Sequence, residues 1–344
     1  MRLLFASPFP YLPDNTSGRE ASTHALALRL RDAGHAVAAV AALPETDQRA
    51  RASDETLGYP VYRAREPLLR YAEVLRDFRP DLAVLPLAPL SLPLAALGIE
   101  RGVKAMLHAT NVDPRNATLN LIARPELLVT ANSPFTARRL DALHGVDAPT
   151  VLPLIEPDQY RTHAAGDAVL MANPTLLKGI EIFFRMAEAR PAIPFIAVES
   201  WNLSDDWRLV LANRARALGN VELWPSTTDM RPAYARSRLV LMPSIYEETY
   251  GRIVAEAQVS GIPALASDRG ALRETVGAGG LTLPVDAGID AWLGAFDRLW
   301  DENAYSTYSA AARGEAAQPQ RRPETVTERF LAVADAFLGG GSPH

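Results

Sequence analysis

Two glutamates, seven residues apart, lie in a segment that runs from a predicted strand into a predicted helix. The segment is Pro243-Ser-Ile-Tyr-Glu-Glu-Thr-Tyr-Gly-Arg-Ile-Val-Ala-Glu-Ala257. If the helix begins near Tyr250, Glu248 lies in the preceding loop and Glu256 on the second turn. Carboxylates accept hydrogen bonds from hydroxyl groups, and the N–H groups at a helix start favour an anion. The spacing therefore suits a ligand with hydroxyl groups on both sides of a phosphate, such as a nucleotide sugar.

The same residues have an interpretation that needs no ligand. Glu248 would then be a charge stabilised by the helix dipole, and Glu256 would lie on a solvated face. Lys178, one of few lysines, follows a predicted strand, and His108 ends another. These two could equally be a solvated lysine and a structural histidine, so spacing alone leaves both interpretations open.

Short apolar runs alternate with amphipathic stretches, which is typical of strand–helix units around a parallel sheet. The predicted strands are 3–6, 36–41, 82–85, 104–108, 127–130, 150–154, 168–172, 195–198, 221–224, 239–242, 264–267 and 281–283. The predicted helices are 20–32, 67–78, 134–143, 179–189, 206–218, 252–260, 270–276, 289–300 and 324–338. In such sheets ligands bind beyond the carboxyl ends of strands. Many of the 27 prolines and 21 glycines fall at these strand–helix junctions, where they would shape a site.

A chain of 344 residues predicts two domains at about 100 to 200 residues each. The periodicity is lost over 155–166, which predicts a linker between domains 1–154 and 167–316. A composition of 48% hydrophobic and 22% charged residues is typical of globular proteins. A net charge of -5 without a long basic run argues against a nucleic-acid binder. The absence of cysteine excludes disulfides, thiolate catalysis and cysteine-ligated zinc.

The first apolar run breaks at Pro8 and Pro10, which makes it too short for a signal sequence or a membrane span. A cytoplasmic protein is therefore expected. No Gly-x-Gly-x-x-Gly follows the first strand, where Ser7-Pro-Phe-Pro10 stands instead, and this excludes an NAD-dependent dehydrogenase.

The glutamate segment resembles the E-x7-E signature of the family-four retaining glycosyltransferases of the GT-B fold, including Glu248-Thr-Tyr-Gly251. The similarity is strong over 168–285 and weaker over 1–150, where Gly18, Gly34-His35, His108 and Ser133 fall in the family's order. The further similar segments are Asn173-Pro-Thr-Leu-Leu-Lys-Gly179, Gly261-Ile-Pro-Ala-Leu-Ala-Ser-Asp268, Arg269-Gly-Ala-Leu-Arg-Glu274 and Gly280-Leu-Thr-Leu-Pro284. The resemblance implies an α/β fold of two Rossmann-like domains facing across a cleft. The N-terminal domain would bind the acceptor and the C-terminal domain the nucleotide sugar, with a helix at about 323–338 packing back on the N-terminal domain.

The resemblance also implies residue roles. Glu256 would bind the ribose hydroxyls, and Glu248 would hold the transferred sugar together with the backbone amides of Thr249, Tyr250 and Gly251. Lys178 would neutralise the diphosphate. His108 would contact the donor sugar near the reacting carbon, and Gly18 would let its loop approach the diphosphate. His108, Lys178 and Glu248 form the expected catalytic set, in which Glu248 is a positioning residue and not a nucleophile.

Three positions depart from the family's pattern. An arginine usually precedes the lysine on the diphosphate, but Asn173 stands in that region, after Ala172 in place of a glycine. Arg252 stands where the family is generally apolar. We hypothesise that it supplies some of the missing charge or contacts an anionic acceptor; alternatively, it is an exposed helix arginine. The N-terminal loop has one glycine, Gly18, where two are common.

The expected activity is retaining transfer from a UDP-, GDP- or TDP-sugar to a hydroxyl acceptor, by same-face attack. The acceptor would be a sugar, a lipid-linked glycan or a small molecule, and peripheral attachment to a membrane stays open. No Asp-x-Asp occurs, so neither a metal nor a cofactor is expected. Two alternatives remain: a non-catalytic relative that binds a nucleotide sugar, and an epimerase that converts the donor alone.

Overall fold

The chain divides into two compact units in the computed structural model, which describes residues 1–112, 124–200 and 203–341. The first unit comprises Met1–Leu154 and Pro323–His344, and the second comprises Ile155–Arg322. Each unit is built around its own mainly parallel sheet with helices, so the predicted α/β fold class is confirmed.

The first unit has a sheet of order β3-β4-β2-β1-β5-β6-β7 in its described part. Its strands are β1 (Arg2–Pro10), β2 (Ala36–Ala42), β3 (Arg51–Asp54), β4 (Val61–Ala64), β5 (Leu82–Pro86), β6 (Lys104–Ala109) and β7 (Leu127–Ala131). All pairs are parallel except β3 with β4. The helices before residue 154 are α1 (Gly18–Asp32), α2 (Pro67–Phe78), α3 (Leu92–Glu100) and α4 (Pro134–His144). Leu3 and Leu4 of β1 are both fully buried in separate clusters, because both faces of a parallel sheet are covered.

The second unit has a sheet of order β10-β9-β8-β11-β12-β13. Its strands are β8 (Ala168–Ala172), β9 (Phe195–Val198), β10 (Val221–Trp224), β11 (Ser237–Met242), β12 (Ala264–Ser267) and β13 (Gly280–Leu283). Its helices are α5 (Pro157–Tyr160), α6 (Ile180–Ala189), α7 (Asp205–Leu218), α8 (Arg231–Arg236), α9 (Arg252–Val259), α10 (Leu272–Val276), α11 (Ile289–Trp300) and α12 (Glu302–Ala316). The strand order reverses between β8 and β11, and ligands bind at such a switch point in open sheets.

Several elements differ from the sequence predictions. The strand predicted at 150–154 is wrong: Thr150 makes a single bridge to Ala131, and Pro153 lacks the N–H that would continue the pairing. The stretch 155–166, predicted as a linker, contains α5 and lies in the second unit. The helices α3, α8 and α12 and the strands β3 and β4 were not predicted.

The last helix, α13 (Pro323–Leu338), lies in the first unit. Its buried side chains Phe330 and Val333 join the same apolar cluster as Leu3. Lys104 Nζ at the start of β6 donates to the carbonyl of Phe337 at 2.7 Å. Within the described ranges, no helix combines the length and the apolar composition that crossing a membrane requires.

Candidate active site

A glycine sets the junction between β11 and α9. Gly251 has a φ of +86°, a left-handed conformation that L side chains rarely adopt. A Cβ on Gly251 would stand 2.6 Å from Leu272 Cδ2. Val254 N donates to the Gly251 carbonyl at 3.0 Å, so helical bonding begins directly after the turn. The loop 243–251 therefore delivers Glu248 at the carboxyl end of β11, just before a helix start.

Backbone hydrogen bonds connect three loops at this edge of the sheet. The carbonyl of Leu177, after β8, accepts from Ile245 N at 2.9 Å and from Tyr246 N at 3.2 Å. Ala271 N, after β12, donates to the Glu248 carbonyl at 2.7 Å. A Cβ on Gly270, whose φ is +66°, would stand 2.1 Å from that same carbonyl oxygen. The loops after β8, β11 and β12 are thus fixed relative to one another.

Lys178 and Glu248 form an ion pair within these loops. Lys178 Nζ donates to Glu248 Oε1 at 2.5 Å, and Ser244 Oγ donates to the same oxygen at 2.7 Å. The side chains are 23% and 10% exposed, so water still reaches the lysine. Among the described residues, Glu248 Oε2 has no hydrogen-bond partner. This oxygen can accept from a ligand hydroxyl.

Glu256 forms a second ion pair, deeper than the first. Its Oε1 accepts from Arg252 Nε at 2.5 Å, and its Oε2 accepts from the Tyr234 hydroxyl at 2.6 Å. Both charged side chains are at most 10% exposed. Burial and the neighbouring carboxylate raise the pKa of Tyr234 well above its ordinary value, so its hydroxyl stays a donor.

The structure corrects one of the two sequence interpretations of Arg252. The side chain is buried, and its Nη2 donates to the Tyr160 hydroxyl of α5 at 2.7 Å. Burial alone would lower the pKa of Arg252, but the charge of Glu256 raises it above its ordinary value. Arg252 is therefore not an exposed helix arginine, and its contact with a phosphate or an anionic acceptor stays a prediction.

Asn173 takes up a left-handed turn after β8, with a φ of +56°. Asparagine tolerates this conformation better than most residues. Its N–H donates to the Val198 carbonyl at 2.9 Å, and its carbonyl accepts from Thr175 N at 2.7 Å. Its side-chain Oδ1 is buried and has no hydrogen-bond partner among the described residues. The position therefore supplies a turn and a polar atom but no positive charge.

Thr249 and Tyr250 are buried. The carbonyl of Tyr250 accepts from Thr275 Oγ1 of α10. The expected role of these residues concerns their backbone amides, and it stays a prediction.

His108 and Gly18, the two remaining predicted site residues, lie in the first unit. His108, near the carboxyl end of β6, pairs through Nδ1 with Thr130 Oγ1 of β7 at 2.9 Å. Burial lowers the pKa of His108 to about 4, so the ring is neutral at neutral pH. Gly18 is the first residue of α1, after Ser17, whose hydroxyl donates to the buried Glu20.

The second unit thus brings Asn173, Lys178, Glu248, Gly251 and Glu256 to one edge of one sheet. Sequence reasoning missed Ser244 and Tyr234, which donate to the two carboxylates, and Tyr160, whose hydroxyl accepts from Arg252. Tyr160 had no signal, because it lies where the periodicity is lost. Gly270, one of the glycines predicted to shape a site at a strand–helix junction, borders the Glu248 backbone.

Comparison with known proteins agrees with this geometry. Residues 186–302 match the family model described as Glycosyl transferases group 1. D-inositol 3-phosphate glycosyltransferase from Pseudarthrobacter chlorophenolicus is 26% identical over 212 residues, which cover 57% of this chain and 50% of that protein. The chain thus spans about half the length of this curated relative.

Solved structures cover nearly the whole chain. HepE from Anabaena, in complex with UDP and glucose, has a TM-score of 0.78 at 18% identity, covering 98% of this chain and 100% of that one. Sucrose-phosphate synthase from Thermosynechococcus elongatus has a TM-score of 0.79 at 14% identity, covering 99% and 100%. Residues 186–302 are thus similar to the Glycosyl transferases group 1 family, and the chain has the GT-B fold of glycosyltransferase structures.

Proposed function

We propose that the protein is a retaining glycosyltransferase that moves a sugar from a UDP-, GDP- or TDP-sugar to a hydroxyl acceptor. One observation carries the proposal: the Lys178–Glu248 pair stands directly before the α9 start, with Glu256 on the second turn of that helix. A cation, a helix start and two carboxylates in this order match the phosphates and the two sets of hydroxyls of a nucleotide sugar. The related fold of HepE in complex with UDP-glucose supports this class of donor.

The two carboxylates divide the hydroxyls between them. A carboxylate has about four acceptor positions. Glu248 Oε1 accepts from Lys178 and Ser244, which leaves Oε2 for the transferred sugar. Each oxygen of Glu256 accepts one hydrogen bond from the protein, so each keeps a second position for a ribose hydroxyl.

The chemical step requires stabilisation of the charge that develops on the leaving diphosphate. Lys178 Nζ and the amides at the start of α9 supply this stabilisation in the proposed reaction, which uses no metal. The departing phosphate oxygen takes the acceptor's proton as the acceptor attacks from the same face. Glu248 orients the sugar and forms no covalent bond to it.

Lysine occurs at only two positions in the chain, among 35 Lys and Arg residues. Lys104 Nζ donates to the backbone carbonyls of Phe337 and Leu338, at 2.7 and 3.2 Å. Amine acylation followed by mass spectrometry therefore reports on Lys178 against one internal reference. We expect a bound nucleoside diphosphate to protect Lys178 from acylation and to leave the acylation of Lys104 unchanged.

Activity is tested by incubating the protein with UDP-, GDP- and TDP-sugars and measuring nucleoside diphosphate release, with and without EDTA. We expect slow release from one donor, unaffected by EDTA and reduced at least about tenfold in Glu248→Gln and Glu256→Gln. Glu302→Gln is the matched control, because the Glu302 side chain is 82% exposed on α12. Once a hydroxyl acceptor is found, NMR of the product shows whether the anomeric configuration is retained.

Other outcomes of this experiment identify the alternatives. Binding of a nucleotide sugar without release of nucleoside diphosphate would favour the non-catalytic relative. This alternative is supported by the uncharged Asn173 in the loop 173–179. Conversion of the sugar on the donor itself would favour an epimerase. A protein that neither binds nor converts any of the donors would overturn the proposed function.

A further inference from the structure

The ion pairs of the candidate site are neutral as pairs. Lys178 offsets the charge of Glu248, and Arg252 offsets that of Glu256. A nucleoside diphosphate brings about two negative charges, which need positive partners when they leave water. A further cation in the same loops, one without a carboxylate partner, would therefore supply the positive charge that the diphosphate needs.

Arg269 is such a cation. It is the second residue after β12, and its Nε donates to the Ile245 carbonyl at 3.2 Å. Ile245 N in turn donates to Leu177, the residue before Lys178. Two residues after Arg269, Ala271 N donates to the Glu248 carbonyl. Hydrogen bonds from Arg269 Nε and from the backbone just after Arg269 thus connect this residue to the loops that carry Lys178 and Glu248.

The outer end of the Arg269 side chain is uncommitted. A guanidinium has five N–H donors, and only Nε of Arg269 has a hydrogen bond within the part of the chain that the structure describes. No carboxylate in that part lies within ion-pair distance of it. Arg273 differs, because its Nη2 lies 3.8 Å from Asp268 Oδ2 and its side chain is 75% exposed. The four Nη protons of Arg269 are therefore available to an anion.

We propose that Arg269 is a donor-binding residue whose guanidinium binds the β-phosphate of the nucleotide sugar. The inference rests on the proposed function and deepens it. Because Arg269 is attached to the loop of Glu248, it lies toward the sugar end of the donor, where the β-phosphate is. The planar guanidinium can form two parallel hydrogen bonds to a phosphate, which a lysine cannot. Arg269 thereby supplies the cation that the loop at Asn173 lacks.

The test compares nucleotides that differ by the β-phosphate. Calorimetry first identifies which of UDP, GDP, ADP and dTDP binds the wild type most tightly, and the matching monophosphate is the second ligand. We expect Arg269→Gln to weaken diphosphate binding about 10- to 100-fold, and monophosphate binding less than about threefold. Arg269→Lys should keep part of the affinity, and the control Arg273→Gln should change neither ligand.

The outcomes separate this inference from the proposed function. If the wild type binds none of the diphosphates, the proposed function fails and this inference fails with it. If the wild type binds but Arg269→Gln does so equally well, only the role of Arg269 is overturned. Equal losses for the diphosphate and the monophosphate would indicate a structural role, as would a loss in Arg269→Lys as large as in Arg269→Gln.

Discussion

The carboxyl ends of the parallel strands differ between the two units. After β8 and β11, charged side chains form the ion pairs Lys178–Glu248 and Arg252–Glu256. At the ends of β6 and β7, a histidine that burial keeps neutral bonds to Thr130. A partly buried charge needs a partner in good geometry, whereas a neutral pair costs little to bury. The ion pairs of the second unit therefore depend on loops that are held in one conformation.

Two glycines beside these ion pairs are packed closely against neighbouring backbone. A Cβ on Gly179 would stand 2.0 Å from the Pro243 carbonyl oxygen, and one on Gly270 would stand 2.1 Å from that of Glu248. By contrast, Gly145 after α4 in the first unit has open space around it, although its φ is +62°. If this comparison is correct, variants at the charged edge should cost most.

The largest expected effect is on stability in Arg252→Leu. Removing one partner leaves the carboxylate of Glu256 buried with only Tyr234 as donor, and breaking a buried pair costs about 3 to 5 kcal/mol. Arg252→Leu combined with Glu256→Gln should recover most of that loss. Urea unfolding of both variants measures it. If the free energy of unfolding of Arg252→Leu alone is within about 1 kcal/mol of the wild type, the Arg252–Glu256 pair does not stabilise this edge of the sheet.

Lys178→Met should have the next largest effect, on catalysis. The variant removes the cation that the proposed reaction uses on the leaving diphosphate, and loss of one such donor lowers kcat about 10²- to 10³-fold. Steady-state kinetics at saturating donor measures the change. Lys104→Met is the matched control, because Lys104 lies in the first unit and its Nζ donates to backbone carbonyls of α13. Equal rates in the two variants would remove Lys178 from the mechanism.

Gly179→Ala tests the loop geometry against a glycine of matched conformation. Gly179 and Gly219 have φ values of +79° and +78°, but nothing lies within 4 Å of a Cβ on Gly219. Both variants carry the same backbone strain of about 1 kcal/mol, so their difference isolates the clash with Pro243. We expect Gly179→Ala to lose about 2 kcal/mol more in urea unfolding. Equal losses would show that the loop 173–179 accommodates the added Cβ without a cost in stability.

The comparison also shows what the sequence could predict. The edge with the ion pairs was the more predictable one. Glu248, Gly251 and Glu256 stand at short, fixed spacings within the single segment 243–257, between a strand and a helix. Most strands and helices were predictable to within a few residues from their periodicity, and 289–300 was predicted with the observed bounds.

The partners of those charged residues could not be predicted. Arg252 reaches Glu256 and Tyr160 at once, and Tyr160 is 92 residues away in the chain. Only the packing of α5 against α9 brings them together, and no local pattern records that packing. The sequence therefore placed Arg252 near Glu256 but did not predict its ion pair with Glu256 or its hydrogen bond to Tyr160.

The smallest expected effect concerns the neutral edge of the first unit. The pKa of His108 is about 4 in the folded protein, whereas an unfolded histidine has a pKa near about 6.5. Between these values the unfolded chain binds more protons, so His108 makes the free energy of unfolding rise with pH from about 4 to about 6.5.

His108→Asn should remove this contribution. Between pH 5 and pH 7, the gain in stability should be smaller in the variant by about 1 kcal/mol, since the ring is partly open to water. The exposed His163, replaced by asparagine, controls for the loss of a histidine. Urea unfolding at the two pH values measures the difference, which cancels every other titrating group that the variants share. If His108→Asn gains as much stability as the wild type, His108 binds protons as readily in the folded protein as in the unfolded chain, and the contrast between a charged and a neutral edge disappears.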